Sequence, residues 1–119
     1  MNPSICLEHY FAAWNSADDA ARRHHLGAAL SADFHYLDPH RAARGIDAFA
    51  HSLAEFHAQS PGSFVERISG LDAHHNLYRY AWRLVRGGQR VVEGLDMIEF
   101  NDAGLIHIVR SFFGPLPAI

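Results

Sequence analysis

The second half of the chain reads as a run of strands joined by short turns, and this feature restricts the possible folds most. Four segments are rich in alternating apolar, β-branched and aromatic residues: 64–71, 77–86, 89–100 and 105–113. Gly87-Gly88 predicts a tight hairpin, and residues 72–76 and 101–104 predict the other turns. Strands joined by such short connections pair antiparallel, so the sequence predicts a meander.

The first half of the chain reads as helices with one short strand. Apolar residues at helical spacing predict two helices before residue 30, separated by a polar break at 15–18. The segment Asp33–Pro39 predicts a strand that proline ends. A third amphipathic helix follows Gly45 and ends at 60–62. We therefore predict an α+β fold, in which a curved antiparallel sheet packs against three N-terminal helices and encloses an apolar pocket.

Length and composition restrict the organisation and the partners. At 119 residues the chain fits a single domain spanning 1–119. A formal net charge of −3 provides no basic surface for nucleic acid. No apolar run is long enough for a membrane span, and one cysteine and no signal peptide indicate a cytoplasmic protein. None of the ten histidines shows the helical spacing and third ligand of a zinc site, so we predict no metal and no other cofactor.

Asp96 is the exceptional residue of the third long strand. Alternation places it in one row with the otherwise apolar series Val92, Gly94, Ile98 and Phe100. If this row faces the helices, burial raises the pKa of the Asp96 carboxyl and favours a neutral acid that donates a hydrogen bond. The opposite row contains Val91, Leu95 and Met97, which suggests a partner surface.

Other candidate residues face the same predicted pocket. Tyr10 and Trp14 lie four residues apart on the first helix, and Asp38 ends the short strand. Asp38 is equally interpretable as a turn residue, and the strand aromatics as simple core. The remaining predicted pocket residues are His40 at the mouth, Phe49, Leu53, Tyr78, Tyr80, Trp82, Ile98, Arg110 and Phe112. Two carboxyls and a phenol suit proton abstraction beside a carbonyl group, because one accepts the proton while donors hold the enolate oxygen.

The chain resembles the nuclear transport factor two-like superfamily, and within it the SnoaL-like (polyketide-cyclase-like) proteins and the ketosteroid isomerases. The resemblance covers nearly the whole chain, and four segments carry it: Tyr10–Asn15, Asp33–Pro39, Arg44–Phe49 and Gly94–Gly104. It implies the superfamily's cone-shaped fold and a homodimer. It also implies that Asp38 is the general base, Tyr10 the oxyanion phenol and Asp96 the protonated oxyanion acid of an isomerase or cyclase. Arg41 and Arg44 depart from the isomerases, and a nearby cation weakens Asp38 as a base.

Two other functions fit the same residues. The pocket of a noncatalytic binding domain would use Tyr10 and Asp96 only to orient a small apolar ligand. Water activation, as in the epoxide hydrolases of the same superfamily, needs an Asp-Arg-Asp relay, for which Arg110 is the candidate. The sequence leaves the substrate open.

Overall fold

The computed structural model describes residues 2–119 and contains three helices and one seven-stranded sheet. The helices are α1 (Pro3–Asn15), α2 (Asp19–Ala29) and α3 (Ile46–Gln59). The strands are β1 (Leu30–Leu37), β2 (Ala42–Arg44), β3 (Ser63–Arg67), β4 (Asp72–His74), β5 (Leu77–Arg86), β6 (Gln89–Phe100) and β7 (Ile106–Phe113). This arrangement confirms the predicted α+β class.

The break between α1 and α2 lies in the predicted polar segment. Asn2 caps α1 by accepting a hydrogen bond from the Ser4 amide at 2.8 Å, and Asp18 caps α2 through the Ala21 amide at 2.8 Å. Each cap satisfies a backbone donor that has no partner within the helix. Short polar side chains therefore define where both helices begin.

The strands are ordered β2-β1-β7-β6-β5-β3, and β4 pairs with β5. The predicted hairpin of β5 and β6 is present, and β6 pairs antiparallel with β7. The prediction of a fully antiparallel sheet was wrong, because β1 pairs parallel with β7 and the sheet is mixed. Turn signals reveal only the pairing of consecutive strands, whereas β1 meets the last strand of the chain.

Two short strands were not predicted. β2 follows Pro39 and pairs with β1, while β4 lies inside the predicted turn at 72–76. Each contains only three residues, too few for alternation to be visible. β2 matters for function because it fixes the end of the segment that follows Asp38.

The helices cover one face of the sheet, and β6 shows which face. Asp96, Ile98 and Phe100 are buried, whereas Val91 and Met97 on the alternate positions are 47% and 46% exposed. The predicted orientation of this strand is therefore correct, and the outer row carries Val91 and Met97 as exposed apolar side chains. No helix of residues 2–119 has the length and apolar character needed to cross a bilayer.

A β-bulge changes the orientation of β7. Ile106 and Val109 are both fully buried although they lie three residues apart, and the β6–β7 register shifts between Glu99 and Phe100. A one-residue shift moves all following side chains to the other face. Ser111 consequently faces inward.

Because of the same bulge, two residues predicted to line the pocket face away from it. Arg110 is exposed and Phe112 is 61% exposed, so both point away from the helix-covered face. Simple alternation from Ile106 predicts that both side chains face the pocket, because it takes no account of the bulge. An Asp-Arg-Asp relay through Arg110 is excluded by this orientation.

Candidate functional site

A cavity of about 310 Å³ lies between the helices and the covered face of the sheet. Its volume is at the lower end of the range for small-molecule sites. The lining residues come from α1, α3, the sheet and the segment between β1 and β2: Tyr10, Phe11, Trp14, Tyr36, His40, Arg41, Phe56, Val65, Trp82, Leu84, Val92, Asp96, Ser111 and Phe113. Six of these fourteen side chains are purely hydrocarbon, and eight carry a polar group.

Five predicted pocket residues line this cavity: Tyr10, Trp14, His40, Trp82 and Asp96. Others lie outside it. Phe49 and Leu53 on α3 and Ile98 on β6 are buried in the core, and Tyr78 packs against Phe100 with ring centroids 5.0 Å apart. For Tyr78 the alternative interpretation of the strand aromatics as core packing fits the structure, whereas the prediction that Phe49, Leu53 and Ile98 line the pocket does not fit it.

Some lining residues were missed at the sequence level, for different reasons. Tyr36 shares the strand face of Asp38, so a signal for it was present. Ser111 and Phe113 were not predicted, because alternation without the bulge in β7 places them on the outer face of the sheet. Arg41 lies in the irregular segment between β1 and β2, where no periodic pattern indicates which side chains turn inward.

Asp96 is the centre of a polar row across three strands. Tyr80 on β5, Asp96 on β6 and Ser111 on β7 are direct register partners. Tyr80 does not line the cavity itself, but its hydroxyl donates to Asp96 Oδ2 at 2.6 Å. Residues at matching positions on neighbouring strands point to the same face, so the pairing register brings these three side chains together.

Burial raises the pKa of the Asp96 carboxyl to about 6, although the neighbouring polar groups of Ser111, Tyr80 and Trp82 act in the opposite direction. The negative charge of Asp38 raises it further. The rise agrees with the expectation from the sequence. At pH 7, however, a carboxyl with a pKa near 6 is mainly ionised, so the neutral form predominates only at lower pH.

Trp82 lies beside Asp96 because of the glycine at position 94. Gly94 is the register partner of Trp82, and a Cβ added there would lie 2.3 Å from the indole Cζ2 and 2.3 Å from the Phe112 carbonyl oxygen. The indole therefore lies directly over the glycine. Trp82 Nε1 is buried and has no hydrogen-bond partner among residues 2–119, though it is close enough to lower the pKa of Asp96.

Tyr10 contributes a second buried donor. Its ring is parallel to that of Phe49, with centroids 6.2 Å apart, and its hydroxyl has no hydrogen-bond partner within the described residues. Burial and the nearby charge of Asp96 raise the pKa of Tyr10 well above 10. The phenol therefore stays protonated at neutral pH and retains its proton for donation.

Asp38 lies outside the cavity lining, and its side chain is fully buried. Oδ1 accepts hydrogen bonds from the His40 and Arg41 amides, both at 2.7 Å. Oδ2 accepts from Tyr36 Oη at 2.7 Å and from Arg41 Nη1 at 3.1 Å. Four donors occupy the lone pairs of this carboxylate, so it organises the segment that follows it.

That segment places two basic side chains at the open side of the cavity. The Arg41 guanidinium lies over the rings of Trp14 and Phe56, 5.8 and 5.5 Å from their centroids. His40 is exposed and packs against Phe113, with ring centroids 5.5 Å apart. Arg44, the other arginine of this segment, is exposed on β2.

No group of three or more histidine, cysteine or acidic side chains within residues 2–119 is arranged to hold a metal ion. The cavity chemistry available from the chain itself is therefore one carboxyl with a raised pKa, two unpaired buried donors and a cation at the entrance. This set can accept a proton, stabilise an oxyanion and orient a ligand.

Comparisons with known proteins include a solved structure with clear sequence similarity to this chain. It is a crystal structure from Agrobacterium tumefaciens strain C58 named as a putative isomerase of the SnoaL-like family, with 31% sequence identity and a TM-score of 0.87. The match covers 92% of this chain and 95% of that chain. No protein-family profile matches the sequence, and no curated protein is significantly similar to it.

Two more distant structures share the fold. One, from Jannaschia sp. CCS1, is named as a putative SnoaL-like polyketide cyclase and has 16% identity and a TM-score of 0.68, covering 92% of this chain and 85% of that chain. The other is an NTF2-like protein of unknown function from Exiguobacterium sp. 255-15, with 15% identity and a TM-score of 0.74, covering 93% of this chain and 99% of that chain.

Proposed function

Because this chain belongs to the SnoaL-like family, we propose that it is an isomerase- or cyclase-type enzyme that moves a proton beside the carbonyl group of a small apolar compound. The proposal assigns the proton transfer to Asp96. The observation that carries it is a buried carboxyl with a pKa of about 6 in the wall of a cavity that also contains two unpaired donors.

Asp96 suits general acid–base catalysis because its pKa lies close to neutral pH. A group of this kind is ionised often enough to accept a proton and acidic enough to return it. In an isomerisation, the carboxylate takes a proton from the carbon next to the carbonyl, and the same carboxyl then delivers it to another carbon of the enolate. The reaction needs no oxidant and no second substrate.

Tyr10 and Trp82 suit the stabilisation of the enolate oxygen. A buried donor without a partner costs about 1–3 kcal/mol, which a carbonyl oxygen of a ligand would recover. Donors placed before the reaction also stabilise the negative charge that develops on that oxygen. The high pKa of Tyr10 keeps its proton in place during this step.

Asp38 takes a different role in this proposal from the general base that the family resemblance implies. Its carboxylate already accepts four hydrogen bonds, one of them from Arg41. To remove a proton from a substrate it would first have to lose one of these donors. We therefore treat Asp38 as a residue that positions Tyr36 and Arg41.

The test is deuterium exchange from D₂O into the carbon next to the carbonyl, in a panel of β,γ-unsaturated cyclic ketones, followed by mass spectrometry. Asp96→Asn should reduce the exchange rate about 10²–10⁴-fold, the usual contribution of a general base. Asp38→Asn, the matched control, keeps the shape of the side chain and should cost less than about tenfold.

The opposite order of effects would assign the base to Asp38, as the resemblance implies. Binding of the ketones without any exchange by the wild-type protein would contradict an enzymatic function and support the noncatalytic alternative.

A further inference from the structure

The entrance of the cavity carries a cation whose hydrogen-bonding capacity is mostly unused. Arg41 is partly buried, lines the cavity and donates one hydrogen bond through a side-chain nitrogen, from Nη1 to Asp38. A guanidinium group has five N–H donors in a rigid planar arrangement. Four of them make no hydrogen bond with residues 2–119.

The position of this guanidinium is fixed on several sides. Trp14 and Phe56 lie against it within 5.8 and 5.5 Å, and its own backbone amide is held by Asp38. This stacking restricts the rotation of the side chain before any ligand binds, whereas a surface arginine loses that freedom only on binding. The group is therefore preorganised for a planar acceptor.

Its ion pair with Asp38 uses one N–H donor and leaves the remaining donors available. The Asp38 carboxylate is stabilised by two backbone amides and Tyr36 in addition to Arg41, so the arginine is one donor among four. His40, which also lines the entrance, is a further potential donor. The opposite charge within the cavity lining belongs to Asp96, which lies on β6 in the centre of the sheet.

We infer that the substrate has two polar ends: an apolar body with a carbonyl group near Asp96, and an acidic group, most simply a carboxylate, that binds Arg41 at the entrance. The carbonyl group near Asp96 rests on the proposed function. The acidic group at Arg41 adds a substrate class to it. Carboxylate is the planar acceptor that matches a guanidinium through two parallel hydrogen bonds.

The test compares two ligands that differ only at the acidic group. Naphthalene-2-carboxylate and naphthalene-2-carboxamide have the same apolar body, and their binding can be measured by calorimetry at pH 7. The wild-type protein should prefer the acid by about tenfold or more, as expected for a hydrogen-bonded ion pair in a partly buried site. Arg41→Gln should remove this preference while the amide still binds.

Two further variants keep the test decisive if Arg41→Gln is too unstable to measure. The double variant Asp38→Asn/Arg41→Gln removes both charges and leaves no uncompensated carboxylate, and it should show equal affinity for acid and amide. Asp38→Asn alone frees Arg41 and should increase the preference for the acid.

Equal affinity of the two ligands in the wild-type protein, or a preference for the acid that survives the double variant, would overturn the inference. Either result would leave the proposed function standing, because the protein would still bind the amide and still exchange deuterium into the ketones. A preference for the acid without any ketone exchange would support the inference about the entrance and contradict the acid–base mechanism. Binding of neither ligand would overturn the inference.

Discussion

Two aspartates with the same side chain have opposite surroundings in this protein. Asp38 has a fully buried side chain and accepts from four donors, one of which is the Arg41 guanidinium at 3.1 Å. Asp96 is 6% exposed, accepts from Tyr80 and forms no ion pair with any of residues 2–119. Burial raises the pKa of Asp96 to about 6.

The difference shows why burial alone does not indicate a reactive group. A buried carboxylate that is fully hydrogen-bonded and paired with a cation is a structural element, whereas one that lacks a cation has a pKa suited to proton transfer. Under the proposed function, Asp38 therefore positions the segment at the cavity entrance, and Asp96 provides the acid–base chemistry.

The largest effect on stability is expected from breaking the Asp38 ion pair. Arg41→Gln leaves a buried carboxylate without its cation, and we expect a loss of about 3–5 kcal/mol in the free energy of unfolding. Urea denaturation measures this quantity. Asp38→Asn/Arg41→Gln is the control and should recover most of the loss; a single variant as stable as the wild-type protein would contradict the structural role of Asp38.

The next effect is a pH dependence that belongs to Asp96. Its pKa in the folded protein is about 6, above the ordinary value of 3.8, so the folded state binds the proton more tightly than the unfolded chain. Stability from this group is therefore complete below pH 3.8, falls as the pH rises toward 6, and is constant above that. The shift corresponds to about 3 kcal/mol.

Asp96→Asn tests this dependence directly. The variant lacks the titration, so it should be more stable than the wild-type protein at pH 7 by up to about 3 kcal/mol and similar to it near pH 3.5. Denaturation curves across this pH range give the comparison. A constant difference between the two proteins at every pH would disprove a raised pKa for Asp96.

A smaller effect is expected at Gly94, on which the position of Trp82 depends. Gly94→Ala places a methyl group within 2.3 Å of the indole and of a backbone oxygen, so the strands or the ring must shift. We expect a loss of about 1–3 kcal/mol in stability, and lower ketone exchange because Trp82 moves away from Asp96. Gly27→Ala is the control, since a Cβ there meets no atom within 4 Å.

The smallest effect is expected from removing the tyrosine hydroxyl that donates to each of the two carboxyls. Tyr80→Phe removes the donor from Asp96 and should raise the pKa of that carboxyl above 6, whereas Tyr36→Phe removes a donor from Asp38 and should leave the Asp96 titration nearly in place. Each variant should lose about 1 kcal/mol in stability. Carbon-detected NMR titration of the Asp96 carboxyl distinguishes them, and equal shifts would show that the two sites are coupled.

The candidate site was only partly predictable from its residues. Asp96 was found because a charged residue in an apolar strand row is exceptional in any register. Arg110 and Phe112 were placed wrongly because one extra residue in β7 exchanged the two faces, and Arg41 was given no place in the pocket because it lies in an irregular segment. Local patterns cannot show a bulge, which depends on the partner strand.

The sequence by itself determined the three helices, the β5–β6 hairpin and the place of Asp96 in an otherwise apolar strand row, because spacing, caps and turns are local properties. Only the tertiary structure decided that β1 pairs parallel with β7, that Ser111 and Tyr80 reach Asp96, and that Asp38 is enclosed by Tyr36 and Arg41. These contacts depend on strand register and on the path of an irregular segment, and the same residue types in another register would not bring these donors to Asp38 and Asp96.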